Sequence, residues 1–143
     1  MQVDEGHGWR LVVDRSRQPF SVLIGGVDWA VELSDDEALA LAAGVERLRS
    51  QYAQIADQLL DQEDLDLDWE RDNLWVGLTL HQGQWSLRFV LEGAAGRRSV
   101  EAGWEARASP ALALALEALP RLLAADAAVA PSGERTSAAR RWD

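Results

Sequence analysis

A chain of 143 residues with no cysteine and a formal charge of −10 fits one domain that buries its core without disulfides, and it lacks thiolate nucleophiles and cysteine-rich metal sites. The acidity disfavours a polyanionic partner, because nucleic-acid affinity rests on basic side chains displacing counterions from phosphate. No apolar run approaches the ~18 residues of a membrane span, and Met1-Gln2-Val3-Asp4-Glu5 has neither a basic start nor an apolar signal core, so a soluble, cytoplasmic protein is expected. All fourteen basic residues are arginine, which alongside the alanine content reads as genome base composition rather than as a function.

In chain order, Trp9–Asp14 and Phe20–Ile24 are short β-branched and aromatic runs separated by a polar stretch ending in Pro19, and they read as an antiparallel pair. Gly25-Gly26 is expected to turn the chain with positive φ. Trp29–Leu33 follows, with Trp29, Val31 and Leu33 on one face by alternation. Ser34-Asp35-Asp36-Glu37 is a capping box, and Ala38, Leu41, Val45, Leu48, Tyr52, Ile55 and Leu59 lay one apolar stripe along a helix running to Leu60.

The strand pattern then resumes. Leu65–Glu70 puts Leu65, Leu67 and Trp69 inward and the acids outward, and Leu74–Leu80 buries Leu74, Val76, Leu78 and Leu80. After a turn at His81–Gln84 come Trp85–Leu91 and Arg98–Trp104, separated by the glycine-rich turn Gly93–Gly96. Ser109-Pro110 opens a second helix, with the serine as N-cap; Leu112, Leu116, Leu119 and Leu123 share its face, and Pro120 breaks or kinks it. Residues 1–125 thus form a single α+β domain of two antiparallel sheet-plus-helix repeats, βββα then ββββα, with pseudo-twofold character. Residues 126–143 have too little apolar content to order themselves and read as a flexible tail, in which Trp142 is out of place.

Gly8-Trp9-Arg10-Leu11, Leu23-Ile24-Gly25-Gly26, Asp28–Ser34, the acidic run ending at Glu70 and the Glu101…Trp104 pair carry a resemblance. From residue 6 to about 124 the chain resembles a family of small uncharacterised cyanobacterial proteins, a domain of unknown function similar in fold to the whirly and positive-cofactor-four regulators that bind single-stranded DNA. The resemblance implies a whirly-like fold of repeated β4-α units, with one strand missing from the first half. It transfers no binding residue, because the lysine-bearing strand motif of the whirly proteins has no counterpart in a chain without lysine.

Seven carboxylates fall within the twelve residues from Asp61 to Asp72. The aspartates at 64, 66 and 68 start like a calcium loop, but Trp69 stands where that loop needs glycine and Trp75 where it needs glutamate. Alternation instead places Asp66, Asp68 and Glu70 on one strand face about 7 Å apart, a solvated row expected to pair in part with Arg88 or Arg98. Among the seven tryptophans, Trp29, Trp69 and Trp85 have core parity. Trp75 lies opposite Leu74 and Val76, beside Gly77, and is expected to be exposed or covered by a loop or partner, as interface tryptophans are.

His7 and His81 sit in expected loops, and no catalytic elbow, phosphate loop or dinucleotide fingerprint occurs. Glu101 near Trp104 reads as a structural carboxylate bonded to an arginine. No enzyme activity, cofactor or metal is expected. The reading is a non-enzymatic, acidic protein-interaction or regulatory module that docks an unknown protein partner through Asp66, Asp68, Glu70 and Trp75. The alternative is a single-stranded nucleic acid binder using Arg10, Arg15, Arg88 and Arg98, and a homodimer is compatible with either.

Overall fold

Two four-stranded antiparallel sheets, each followed by helix, make up the chain in a computed structural model that describes residues 1–60, 63–93 and 98–128. The first sheet runs in the order β1 (Gln2–Gly6), β2 (Trp9–Val13), β3 (Val22–Gly25) and β4 (Ala30–Leu33). Helix α1 (Asp35–Ile55) leads to the second sheet, β5 (Leu65–Arg71), β6 (Leu74–His81), β7 (Gln84–Leu91) and β8 (Val100–Trp104). Helices α2 (Ser109–Glu117) and α3 (Leu119–Ala128) close the described chain.

The α+β class of two sheet-plus-helix repeats holds, and the first repeat gains the strand that was not expected. All five residues of β1 are exposed and only Val3 is large and apolar, so alternation carries no signal; its place comes from backbone pairing with β2 from Gln2↔Val13 to Gly6↔Trp9. Helix α1 ends at Ile55, five residues short of the expected Leu60, and a single 3-10 turn follows. Its buried stripe consists of Ala38, Leu41, Ala42, Gly44, Val45 and Leu48, whereas Leu59 is only half-buried and Leu60 is exposed. The second helix breaks in two at Ala118, and Leu112, Leu116, Leu119 and Leu123 are all buried. Because α3 continues to Ala128, the helix overruns the tail boundary expected at Asp126. Residues 129–143, with Trp142, lie outside the described residues, as do Asp61 and most of the Gly93–Gly96 turn.

Helices α1 and α2 each pack chiefly on the other repeat's sheet, while α3 packs on α1 and α2. Helix α1 lies across β5 and β6, and α2 crosses β2 and reaches β7. One core results, spanning both sheets and all three helices. Two tryptophans then join the sheets reciprocally. Trp29 Nε1 donates to the Gly103 carbonyl at 3.2 Å, and Trp104 Nε1 donates to the Gly25 carbonyl at 2.9 Å. Their rings are 5.2 Å apart, centroid to centroid, and both meet Phe89 at 5.5–6.0 Å, within the range where aromatic pairs add about 0.5–1.5 kcal/mol beyond area burial.

Two local expectations are corrected. Gly25 and Gly26 do not supply positive φ, which among the described residues falls at Gly8, Asp72, Gln82 and Gly83. Gly26 is instead required by close approach, since a Cβ there would stand 2.3 Å from the Trp29 ring. Ser109 does not cap α2; Ala108 does. The Ser109 hydroxyl is fully buried, accepts from the Leu87 N–H at 3.1 Å and lies 2.9 Å from the Glu105 carbonyl. It ties the helix start to β7 where β8 ends.

The capping box of α1 forms as expected, with Glu37 N–H donating to Ser34 Oγ and Ser34 N–H donating to Glu37 Oε1. Arg98, which precedes β8 rather than lying in it, also donates to both Glu37 oxygens and to the Glu32 carbonyl. Burial pushes the Glu37 carboxyl up, but the hydrogen bonds from Arg98 and from the Ser34 backbone outweigh it and hold its pKa below the ordinary glutamate value. With the folded pKa depressed, ionised Glu37 stabilises the fold above about pH 4.3, the unfolded value, and that contribution is lost as pH falls through the folded pKa. Replacing Glu37 by Gln keeps an N3 residue able to close the capping box but removes the charge paired with Arg98, and is expected to cost up to about 1 kcal/mol at neutral pH, with the difference from the parent chain shrinking at acid pH; urea unfolding at both pH values measures it.

Candidate docking surface

Strand alternation gives the second sheet one face on the core and one facing solvent. The solvent face is built from β5 to β8 in register. Across it, Asp68 stands opposite Gly77, Gly77 opposite Arg88, and Arg88 opposite Gly103. The neighbouring row is Glu70, Trp75, Val90 and Glu101, and the row on the other side begins Asp66, Thr79, Ser86. Asp66, Asp68, Glu70, Thr79, Arg88 and Glu101 are exposed.

The two glycines in the middle row shape this surface. A Cβ at Gly77 would stand 2.4 Å from the Trp75 ring, and one at Gly103 would stand 2.8 Å from the Arg88 side chain. Glycine in a strand interior marks such a close approach. The benzo edge of the Trp75 ring therefore lies against Gly77, half-buried, and its Nε1 donates to Asp68 Oδ2 at 3.2 Å. Arg88 folds over Gly103, placing its guanidinium 5.9 Å from the Trp75 ring centroid and 2.7 Å from Glu101 Oε1. The indole is thus held on one edge by a carboxylate and flanked by a cation that is already paired. Four carboxylates, at 66, 68, 70 and 101, face one arginine, so the surface is net negative around a fixed aromatic plate.

The structure brings together all four residues singled out for partner binding, Asp66, Asp68, Glu70 and Trp75. It changes their expected partners: Arg88 pairs with Glu101 and Arg98 with Glu37, so the acidic row is relieved by solvent and by the Trp75 N–H rather than by these arginines. Glu101 and Arg88 belong to the same face, which alternation across β7 and β8 could have shown. Glu101 is an exposed, arginine-bonded carboxylate, as its sequence context suggested.

The four arginines of the nucleic-acid reading are not gathered. Arg10 pairs with Glu5 on the first sheet, Arg15 with Asp35 at the start of α1, Arg88 with Glu101 on the second sheet, and Arg98 with Glu37 beside the α1 cap. Trp29, Trp69 and Trp85 pack against the core. Among the described residues, no group of three or more His, Asp or Glu side chains could hold a metal ion, and no helix is long and apolar enough to cross a membrane.

Comparison with known proteins adds kinship without an activity. The model of a family described as "Domain of unknown function (DUF1818)" matches residues 4–119. A solved structure from Prochlorococcus sp. NATL2A, described as a protein with unknown function from the DUF155 family, is 36% identical with a TM-score of 0.78, covering 83% of this chain and 98% of its own. No curated protein matches.

The seating of Trp75 against Gly77 is testable. In Gly77→Ala the new methyl must displace the ring and break the Trp75–Asp68 hydrogen bond. The Trp75 indole N–H resonance, assigned by its absence from Trp75→Phe, is expected to shift and exchange faster with solvent, and the fold to lose no more than about 1 kcal/mol, the net worth of that hydrogen bond.

Proposed function

For a chain that belongs to the DUF1818 family, whose description names no activity, we propose a non-enzymatic docking module whose solvent-facing second sheet binds a basic segment of a protein partner. The observation that carries the reading is the Trp75 plate, seated against Gly77 and ringed by Asp66, Asp68, Glu70 and Glu101. Each part has a physical role. The carboxylates steer a cationic segment and fix its register more than they add affinity, while the indole supplies contact area. Because packing and the bond to Asp68 already hold the ring, little side-chain entropy is lost on binding. A lysine or arginine of the partner can stack on the open indole face, a cation–π contact worth about 0.5–1 kcal/mol at an exposed site.

The second reading, a whirly-like binder of single-stranded nucleic acid, draws support from the two ββββα repeats. The dispersed, carboxylate-paired arginines weigh against it.

Titration with a short polylysine peptide tests the docking face. Binding is expected to be saturable and to weaken with salt. Asp66→Asn, Asp68→Asn and Glu70→Gln together should weaken it about tenfold, roughly 1.4 kcal/mol. A control triple that removes the same charge elsewhere, Asp4→Asn, Asp57→Asn and Glu105→Gln, should change it far less. Equal losses in the two triples would mean that net charge alone attracts the peptide, and the proposal would fail. Single-stranded oligonucleotides in the same assay are expected to give no saturable response.

A further inference from the structure

The first sheet also has a solvent face, and its chemistry is the opposite of the second sheet's. Val3, Val12 and Leu23 stand directly opposite one another on β1, β2 and β3, forming an apolar row across the sheet. Val3 is 43% exposed, and Phe20, at the entry to β3, is 39% exposed with the Arg98 guanidinium 4.7 Å from its ring centroid. Met1, Val12, Phe20 and Leu23 line one shallow groove of about 180 Å³ on this face. Among the described residues, three of the six exposed large hydrophobic residues, Met1, Val3 and Phe20, are therefore collected here. Scattered exposed apolar residues need no explanation, whereas a contiguous row on an uncovered sheet does.

The charges around this row are close to balanced. Arg10 pairs with Glu5 at 3.4 Å, and Arg17 with Glu32 at 2.6 Å; Asp14, bonded to Ser16, shares the groove with Met1, whose ammonium acts on it. On a chain of net charge −10, that balance decides the occupant. In an isologous dimer the same patch meets itself, so a patch of one sign repels its copy. The second sheet's outer face, with four carboxylates to one arginine, is barred from self-association by this argument, and the near-neutral apolar face of the first sheet is suited to it.

We infer that the outer face of the first sheet is the interface of a homodimer, in which Val3, Val12 and Leu23 of one copy pack against the same residues of the other. The arrangement leaves both acidic docking faces free, so the dimer presents two of them. The face spans four short strands, so the interface is a small one. Raising salt tightens this contact by screening the repulsion between two acidic chains, the reverse of its effect on a basic ligand.

Sedimentation velocity on the full chain from about 1 to about 500 µM, which covers micromolar dimer dissociation constants, tests the inference at low and high salt. A monomer–dimer equilibrium that tightens with salt is expected. Leu23→Lys should shift it to monomer by at least tenfold in Kd, and so should Val3→Lys, whose exposed position on the edge strand leaves folding intact. Circular dichroism checks both variants. Asp66→Asn, Asp68→Asn and Glu70→Gln together should leave the dimer intact or tighten it. A chain that stays monomeric throughout, a dimer unmoved by folded Val3→Lys and Leu23→Lys, or a dimer weakened by the second-sheet triple would each overturn the interface.

Discussion

The reciprocal bonds of Trp29 and Trp104 set the relation of the two sheets, and most other features follow from it. Each indole N–H reaches a backbone carbonyl of the opposite sheet, and the rings close around Phe89. Buried donors and acceptors that lose a partner cost about 1–3 kcal/mol each, so the pair specifies one docking of the sheets as well as adding packing. Trp29 precedes the edge strand β4, and Gly103 lies in the edge strand β8. Arg98 makes a similar crossing to the Glu32 carbonyl in β4. Side-chain donors thereby occupy carbonyls on two edges that would otherwise be open to pairing with other chains.

With the sheets locked in this way and the helices on their inner sides, two faces remain for solvent, and they differ in kind. The second sheet's face is acidic, with an aromatic plate seated by a glycine. The first sheet's face is apolar and nearly neutral. Exposed carboxylates at about 7 Å spacing repel one another only weakly in water, since even at 4 Å two unit charges interact by about 1 kcal/mol. Such a row is therefore cheap to keep solvated, and a cationic partner meets it with little desolvation cost. The apolar row has the reverse economy: water is its unfavourable partner, and an identical row its favourable one.

Much of this was legible in the sequence because burial and periodicity coincide in the central elements. Leu74, Val76 and Leu78 alternate as a buried strand must, and Ser34 with Glu37 announces the α1 cap. Asp66, Asp68, Glu70 and Trp75 could be placed on one outward face from parity alone. What was not legible depends on partners distant in sequence. Strand β1 has no apolar pattern because its place comes from pairing with β2. Ser109 looked like a cap, yet its hydroxyl serves Leu87, 22 residues away. Gly26 looked like a turn residue, and Gly77 like a mere neighbour of Trp75, but both are glycine because an indole lies against them. The partners of Arg88 and Arg98 were misassigned for the same reason, since the choice among many carboxylates is made by the packing of whole elements.

The central claim is that the second sheet's outer face is the docking surface, and chemical-shift mapping of the amide and indole N–H signals during addition of a short polylysine peptide tests it most directly. The account predicts saturable shifts confined to Asp66, Asp68, Glu70, Thr79, Arg88 and Glu101, with the Trp75 indole N–H among the largest. Shifts spread over the acidic surface without saturation, or centred on α1 or the first sheet, would contradict it.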